Sequence, residues 1–241
     1  LLYKDLYDLV NSFDIYISHF INKEECAGIS RDIVALSIDK VISFNYSNTY
    51  RRLYGYYKDL EYDYIHGKAG GQYINKVFSN LVLGYDENEN SINEKLVTIF
   101  VPFKKYYQRV LMETGNQYAK WVKEMQNDLA KEENQNNPQI IHNVYFFGHS
   151  MDITDKDIIK ALIINKNVNT TIYYHSSDVK MKIVKNLIHV LEYSNFLEYT
   201  QSGNIKFVFQ DRNLLQIKYS ERYQCLIAVK SLYAFPCIST E

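Results

Sequence analysis

The feature that most constrains this chain is a recurring pattern. Short apolar, β-branched runs stop at glycine, histidine or asparagine and give way to helical periodicity. The clearest case is His142 to Phe147, which runs straight into Gly148-His149-Ser150. A helical pattern follows from Thr154, with Ile158, Ile159, Leu162 and Ile163 on one face. Thr170 to Tyr174 repeats the arrangement, ending at His175 before a helix from Ser177 to Leu191, and Ile205 to Phe209 supplies another strand. Earlier, Val41 to Phe44 ends at Asn45, Tyr62 to Ile65 ends at His66-Gly67, and Asn80 to Leu83 ends at Gly84. Runs this short, without polar alternation, suit strands buried on both faces of a parallel sheet. Strand and helix in alternation predict an α/β fold with an open, mostly parallel sheet and helices on both faces, Rossmann-like in its layering.

The remaining segments are read as accessories to that sheet within one domain, 1–241. Leu1 to Phe20 reads as a helix, with Leu2, Leu6, Leu9, Val10 and Phe13 on one face, and Cys26 to Leu36 as a helical or extended piece. Tyr50 to Tyr57 is a helix weakened by Gly55, with Asn48 or Thr49 to cap it. Asp86 to Asn93 is a polar loop. Pro102 to Lys131 is a long helical stretch broken at Gly115, so residues 102–135 form a helical insertion closed by an acidic, amide-rich linker, Glu132 to Pro138. Thr154 to Asp157 resembles a capping box, and Leu214 to Phe235 reads as a strand followed by a helix.

Composition narrows the function classes. Apolar residues make up 46% and charged residues 23%, with a formal net charge of −1, which excludes a disordered chain and the basic footprint of a dedicated nucleic-acid binder. Apolar runs such as Ala161 to Ile164 fall far short of the ~18–20 residues of a membrane helix. Cys26, Cys225 and Cys237 have no metal-like spacing, and their odd number fits a reducing compartment, so a cytoplasmic protein without membrane attachment is expected. The 23 tyrosines are spread without a basic interleave, so they form no base-stacking platform; codon bias in an AT-rich genome accounts for them.

In open α/β sheets, ligands bind beyond the carboxyl ends of the strands. That rule gathers Asn45, His66, Gly67, Gly148, His149, Ser150 and His175 as site candidates. Asn45 offers a carboxamide to a ribose hydroxyl or a water, whereas Asn48 suits a cap. His66 is a base near neutral pH, and Gly67, Lys68, Gly70 and Gly71 beside it could wrap a phosphate. The chain contains neither a Walker motif nor GxGxxG. Gly148-His149-Ser150 falls short of GxSxG, because Asp152 stands where the second glycine belongs, which argues against a serine hydrolase. Asp152, Asp155 and Asp157 sit at a helix start, where capping explains acids more simply than a metal does, so no metal is expected.

Five motifs in order carry a family resemblance: Phe44-Asn45-Tyr46-Ser47-Asn48-Thr49, Ile65-His66-Gly67, Asn80-Leu81-Val82-Leu83-Gly84, Phe103-Lys104-Lys105-Tyr106-Tyr107-Gln108-Arg109, and Gly148 through Asp155. Together they resemble the AbiH family of bacteriophage abortive-infection proteins, over roughly Val41 to His175. Members usually begin with a strand and a Gly-Asn-Gly-Phe-Asp turn. Nothing here matches it, so a further N-terminal glycine-rich strand and turn is expected outside this sequence.

That family is in turn distantly similar to the sirtuin-like NAD-binding fold. The similarity implies Asn45 and His66 as catalytic residues, with Asn48, Gly67, Gly148, His149, Ser150 and Asp152 around NAD or a related nucleotide. Ser47 replaces an Asp common in sirtuin-like enzymes, and a paired-cysteine zinc module is absent, so deacylation is not expected. The implied function is antiphage defence through NAD hydrolysis and growth arrest, with a phage-derived trigger and a homo-oligomer as partners. The alternative is a non-catalytic nucleotide-binding sensor or interaction module, with the Tyr-rich stretch Phe103 to Leu129 meeting a partner.

Overall fold

The computed structural model describes residues 2–26, 28–55, 59–70, 79–85, 100–135, 140–211 and 213–215. They fall into two compact units, one drawn from Leu1–Gln117 with Asn213–Glu241 and the other from Tyr118–Arg212. Among the described residues, parallel pairing is divided between two small open sheets instead of running through one.

In the first unit, α1 (Leu2–His19) buries Val10, Asp14 and Ile17. Val10 and Ile17 meet Ala69 and Leu81, with Leu6, Phe13, Ile21, Tyr46 and Leu83 packed around them. A two-residue strand, β1 (Ile29–Ser30), precedes the short helix α2 (Arg31–Val34). β2 (Lys40–Ser43) then leads through α3 (Thr49–Tyr54) to β3 (Glu61–Tyr64). β2 and β3 pair in parallel, Lys40 opposite Glu61 through Ser43 opposite Tyr64. α3 stops at Gly55, and the remainder of the helix expected to Tyr57 lies outside the described residues.

Asn80 to Leu83 is not a strand, contrary to its apolar run, because its backbone groups go to side chains and to the His66 carbonyl past the end of β3 instead of to a strand ladder. The Tyr46 hydroxyl donates to the Val82 carbonyl at 2.8 Å, and Gln108 Nε2 donates to the carbonyls of Leu83 and Pro102, both at 3.0 Å. Gln108 lies on α4 (Lys105–Met112), which ends at Glu113 in a left-handed conformation. The break predicted at Gly115 falls there, and α5 (Gln117–Gln135) follows. α5 runs through Glu132–Gln135, so the linker read over Glu132–Pro138 is helical in its first four residues; 136–139 lie outside the described residues. The expected polar loop at Asp86 to Asn93 also lies outside them.

The second unit holds β4 (His142–Phe146), α6 (Lys156–Ile163), β5 (Val168–Tyr174), α7 (Ser177–Leu191), α8 (Tyr193–Gln201) and β6 (Ile205–Phe209). The sheet order is β4-β5-β6 and both pairings are parallel. Right-handed crossovers between strands in sequential order carry α6 and α7 to one face. That face holds the core: Val168, Ile172 and Ile205 of the sheet are buried, as are Ile158, Ile159, Leu162 and Ile163 of α6 and Ile183, Leu187, Val190 and Leu191 of α7. Each such side chain contributes about 1.5–3 kcal/mol. α7 begins as the sequence predicts, at Ser177, and the side chain of Ser176 caps it by accepting from Val179 N–H. The strand expected from Leu214 is β7 (Leu214–Leu215), which belongs to the first unit and pairs antiparallel with β1; 216–241 lie outside the described residues. Among the described residues no helix is long and apolar enough to cross a membrane.

Candidate functional site

Because β2 and β3 are parallel and Ser43 stands opposite Tyr64, both strands leave the sheet at the same edge, with Asn45 and His66 each two residues beyond that pair. The parallel course continues past the strands: Ile65 N–H donates to the Ser43 carbonyl at 2.9 Å, and Ala69 N–H to the Tyr46 carbonyl at 2.9 Å. Ser43 builds the turn after β2, its hydroxyl donating to the Asn45 carbonyl and accepting from Asn45 N–H. The backbone of Asn45 is thereby fixed, while the residue remains exposed.

His66 is different. It is only 5% exposed, with its ring centroid 6.1 Å from Phe44 and 6.3 Å from Tyr46, and its carbonyl accepts Val82 N–H at 2.8 Å. Gly67 has φ +83°, and a Cβ there would stand 2.2 Å from the Asn80 carbonyl oxygen. The close approach that this glycine permits is therefore to the chain's own 79–81 segment. Asn48 occupies the N-cap position of α3 but makes no side-chain cap; its N–H donates to Asn22 Oδ1, and its own buried Oδ1 has no hydrogen-bond partner among the described residues.

Two cations stand at this edge: Lys68, which the sequence offered as part of a phosphate wrap, and Arg51, which it did not. Arg51 lies in α3 with its guanidinium 5.6 Å from the Tyr62 ring centroid, and Lys68 Nζ lies 5.6 Å from the Tyr64 ring centroid. The two rings stack at 6.2 Å and 16°. Burial, and then the positive charge of Arg51, push the Lys68 ammonium below the usual lysine range. Burial pushes the Tyr64 hydroxyl up to about 12. Arg51 carries no motif of its own; the cue is its place one turn into the helix that follows β2.

Behind the edge, Asp14 of α1 is buried, and its carboxylate accepts Gly70 N–H at 2.8 Å and the Ser79 hydroxyl at 2.5 Å. A carboxylate inside an apolar stripe is the signal that marks it. It fastens to α1 two points of the chain that follow the His66 turn, Gly70 and Ser79.

The other predicted residues sit at the carboxyl end of β4 in the second unit. Gly148 has φ +61° and Met151 φ +54°, so the turn contains two left-handed residues, and Met151 is fully buried. His149 Nδ1 accepts Met151 N–H at 3.0 Å, which puts the ring proton on Nε2, 3.6 Å from Asp155 Oδ2. Ser150 is exposed, and its carbonyl accepts Asn186 Nδ2 of α7 at 2.8 Å. Asp152 caps the following turn through Thr154 N–H at 3.2 Å, in place of the capping box read from Thr154 to Asp157. Asp152 and Asp155 are thus engaged by a cap and by His149, and among the described residues no set of three His, Cys, Asp or Glu could hold a metal ion.

Asn45, Asn48, His66 and Gly67 share the β2–β3 edge, while Gly148, His149, Ser150 and Asp152 share the turn after β4. His175 follows β5 on the same side of its sheet as that turn, where Phe147 and Tyr173 stack at 3.9 Å.

No curated protein matches the chain, and no solved structure does. The sequence model for bacteriophage abortive infection AbiH matches residues 2–175, which contain all eight predicted site residues. The chain belongs to the AbiH family of bacteriophage abortive infection proteins.

Proposed function

We propose that this abortive-infection protein holds an NAD-type nucleotide at the β2–β3 edge and cleaves its nicotinamide glycosidic bond, depleting the infected cell. The observation that carries the reading is the parallel register that brings Asn45 and His66 off the sheet side by side. Nicotinamide leaves as a neutral ring, so the reaction needs no strong general acid; it needs a positioned water and a stabilised oxocarbenium-like ribose. Asn45 orients the water, His66 takes its proton as oxygen bonds to the ribose carbon, and the products are nicotinamide and ADP-ribose. Arg51 and Lys68 suit the pyrophosphate, since an anion between them offsets both the burial and the Arg51 charge that push the Lys68 ammonium down. The turn at Gly148, His149, Ser150 and Asp152 stays a separate candidate nucleotide contact within the second unit. A phage-derived trigger is its activator.

One observation favours a non-catalytic sensor instead: His66 is 5% exposed between Phe44 and Tyr46, so its imidazole is shielded from a substrate. The two readings part in one experiment. NAD is followed in infected cells carrying the full-length protein, Asn45→Ala or His66→Gln, with the variants checked for native circular dichroism. Hydrolysis predicts NAD loss with the parent protein and none with either variant. Intact NAD alongside retained phage protection selects the sensor.

A further inference from the structure

We propose that the outer flank of α7 is a docking groove for an acidic amphipathic helix of a partner protein. Val184 and Ile188 follow Lys180 at steps of four, and Lys185 and His189 follow Met181 in the same way, so two rows run side by side along α7. Together they line an open groove of about 530 Å3. The helix already commits Ile183, Leu187, Val190 and Leu191 to its own core, where all four are buried. The flank is therefore a second apolar face, with Val184 and Ile188 half-buried and Met181 63% exposed. Its Lys180 end reaches aromatic rings. Lys180 Nζ lies 5.0 Å from the Tyr174 ring centroid and 5.6 Å from that of Phe207, and Tyr174 meets Phe209 edge to face at 5.7 Å. Phe209 is 61% exposed on β6, the last strand of its sheet, so apolar surface continues from the helix to the sheet edge.

Charge and shape identify the occupant. Within α7, Lys180, Lys182 and Lys185 are set against a single carboxylate, Asp178, and Glu192 just beyond the helix is paired with Lys160 at 2.8 Å. Neither Lys180 nor Lys185 is in an ion pair among the described residues, and each stands in one of the two rows. Carboxylates flanking an apolar ridge would meet an ammonium on either side, which selects an acidic partner and rejects a basic one. The groove runs for roughly 14 Å, the rise from Lys180 to His189 at about 1.5 Å per residue. That length admits the ridge of a helix laid alongside α7, the arrangement of helix-in-groove recognition. A flat lipid surface would need Val184 and Ile188 to project beyond the lysines, and both are half-buried.

The test is a fluorescence-anisotropy titration of the full chain with two labelled helical peptides, alike in a leucine ridge but flanked in one by glutamate and in the other by lysine. The glutamate peptide is expected to bind, and the lysine peptide to bind at least about tenfold more weakly. Lys185→Glu should largely remove that difference. Met181→Glu should raise the dissociation constant of the glutamate peptide at least about tenfold, and both variants should keep the parent circular dichroism, since both positions are exposed. Vesicles of phosphatidylserine are titrated in parallel. Absent or equal binding of the two peptides, a parent affinity in Met181→Glu, or vesicle binding that Met181→Glu abolishes, which would assign the face to lipid, overturns the proposal.

Discussion

At the scale of single residues, the β2–β3 edge is dominated by what burial does to polar groups. Tyr64 sits in the stack with Tyr62 under two cations, yet its hydroxyl titrates at about 12, because desolvation outweighs the help of Arg51. A tyrosine with a raised folded-state value contributes stability that is fully present below the ordinary 10 and is lost as pH climbs from 10 to about 12. Tyr64→Phe should therefore make the stability fall less steeply across that window in urea unfolding, with little change at neutral pH. Tyr3, also raised to about 12, keeps part of the slope in place. An unchanged slope would place the Tyr64 hydroxyl in water. The same physics separates the two residues read from the sequence as partners. Asn45 is exposed and His66 sealed, although both were identified by the same signal, a polar residue at a strand end. Sequence position reports the end of a strand; it does not report which side chain the neighbouring rings of Phe44 and Tyr46 will cover.

At the scale of elements, legibility followed the strength of local chemistry. Ser177–Leu191 and Ile205–Phe209 appear with the predicted bounds, because a cap, a periodic face and a β-branched run mark them without outside help. The segment at Asn80 to Leu83 has the same apolar character, but its conformation is set by long-range hydrogen bonds from Tyr46 and Gln108 and from Val82 N–H to the His66 carbonyl, which no local pattern announces. α8 was missed because it buries none of its residues and so carries no marked apolar face. Asp14 is the element-scale counterpart: one carboxylate on α1 fastens both Gly70 and Ser79. Asp14→Ala strands two donors in a buried setting and should cost about 3 kcal/mol in urea unfolding. Asp14→Asn, which keeps an acceptor, should cost less than half of that. Equal losses for the two variants would mean that the charge, not the hydrogen bonding, holds the turn.

At the scale of the whole molecule, the family motifs carried more than periodicity did. The strand ends located both polar clusters and Lys68 beside one of them, but Arg51 emerged as its companion only once folding had set the two cations over stacked rings. Their role can be tested by thermal unfolding, because a ligand that binds only the folded state stabilises it by RT ln(1 + [L]/Kd), about 2.7 kcal/mol at a hundredfold excess over Kd. For a chain of this length that amounts to roughly 5–10 °C. With two compact units, the shift should appear in the transition that loses the β2–β3 pair, and NAD or ADP-ribose is the probe. Arg51→Gln removes a charge-assisted contact of about 1.5–3 kcal/mol and should cut the shift at fixed ligand by more than half, while leaving the ligand-free transition near its parent temperature. Time separates catalysis from sensing in the same assay. A hydrolase consumes NAD, so its shift relaxes on incubation toward that of ADP-ribose, whereas a sensor holds the NAD shift unchanged. A shift of equal size in the parent and Arg51→Gln would remove the two cations from the site and leave Asn45 as its outward-facing polar contact.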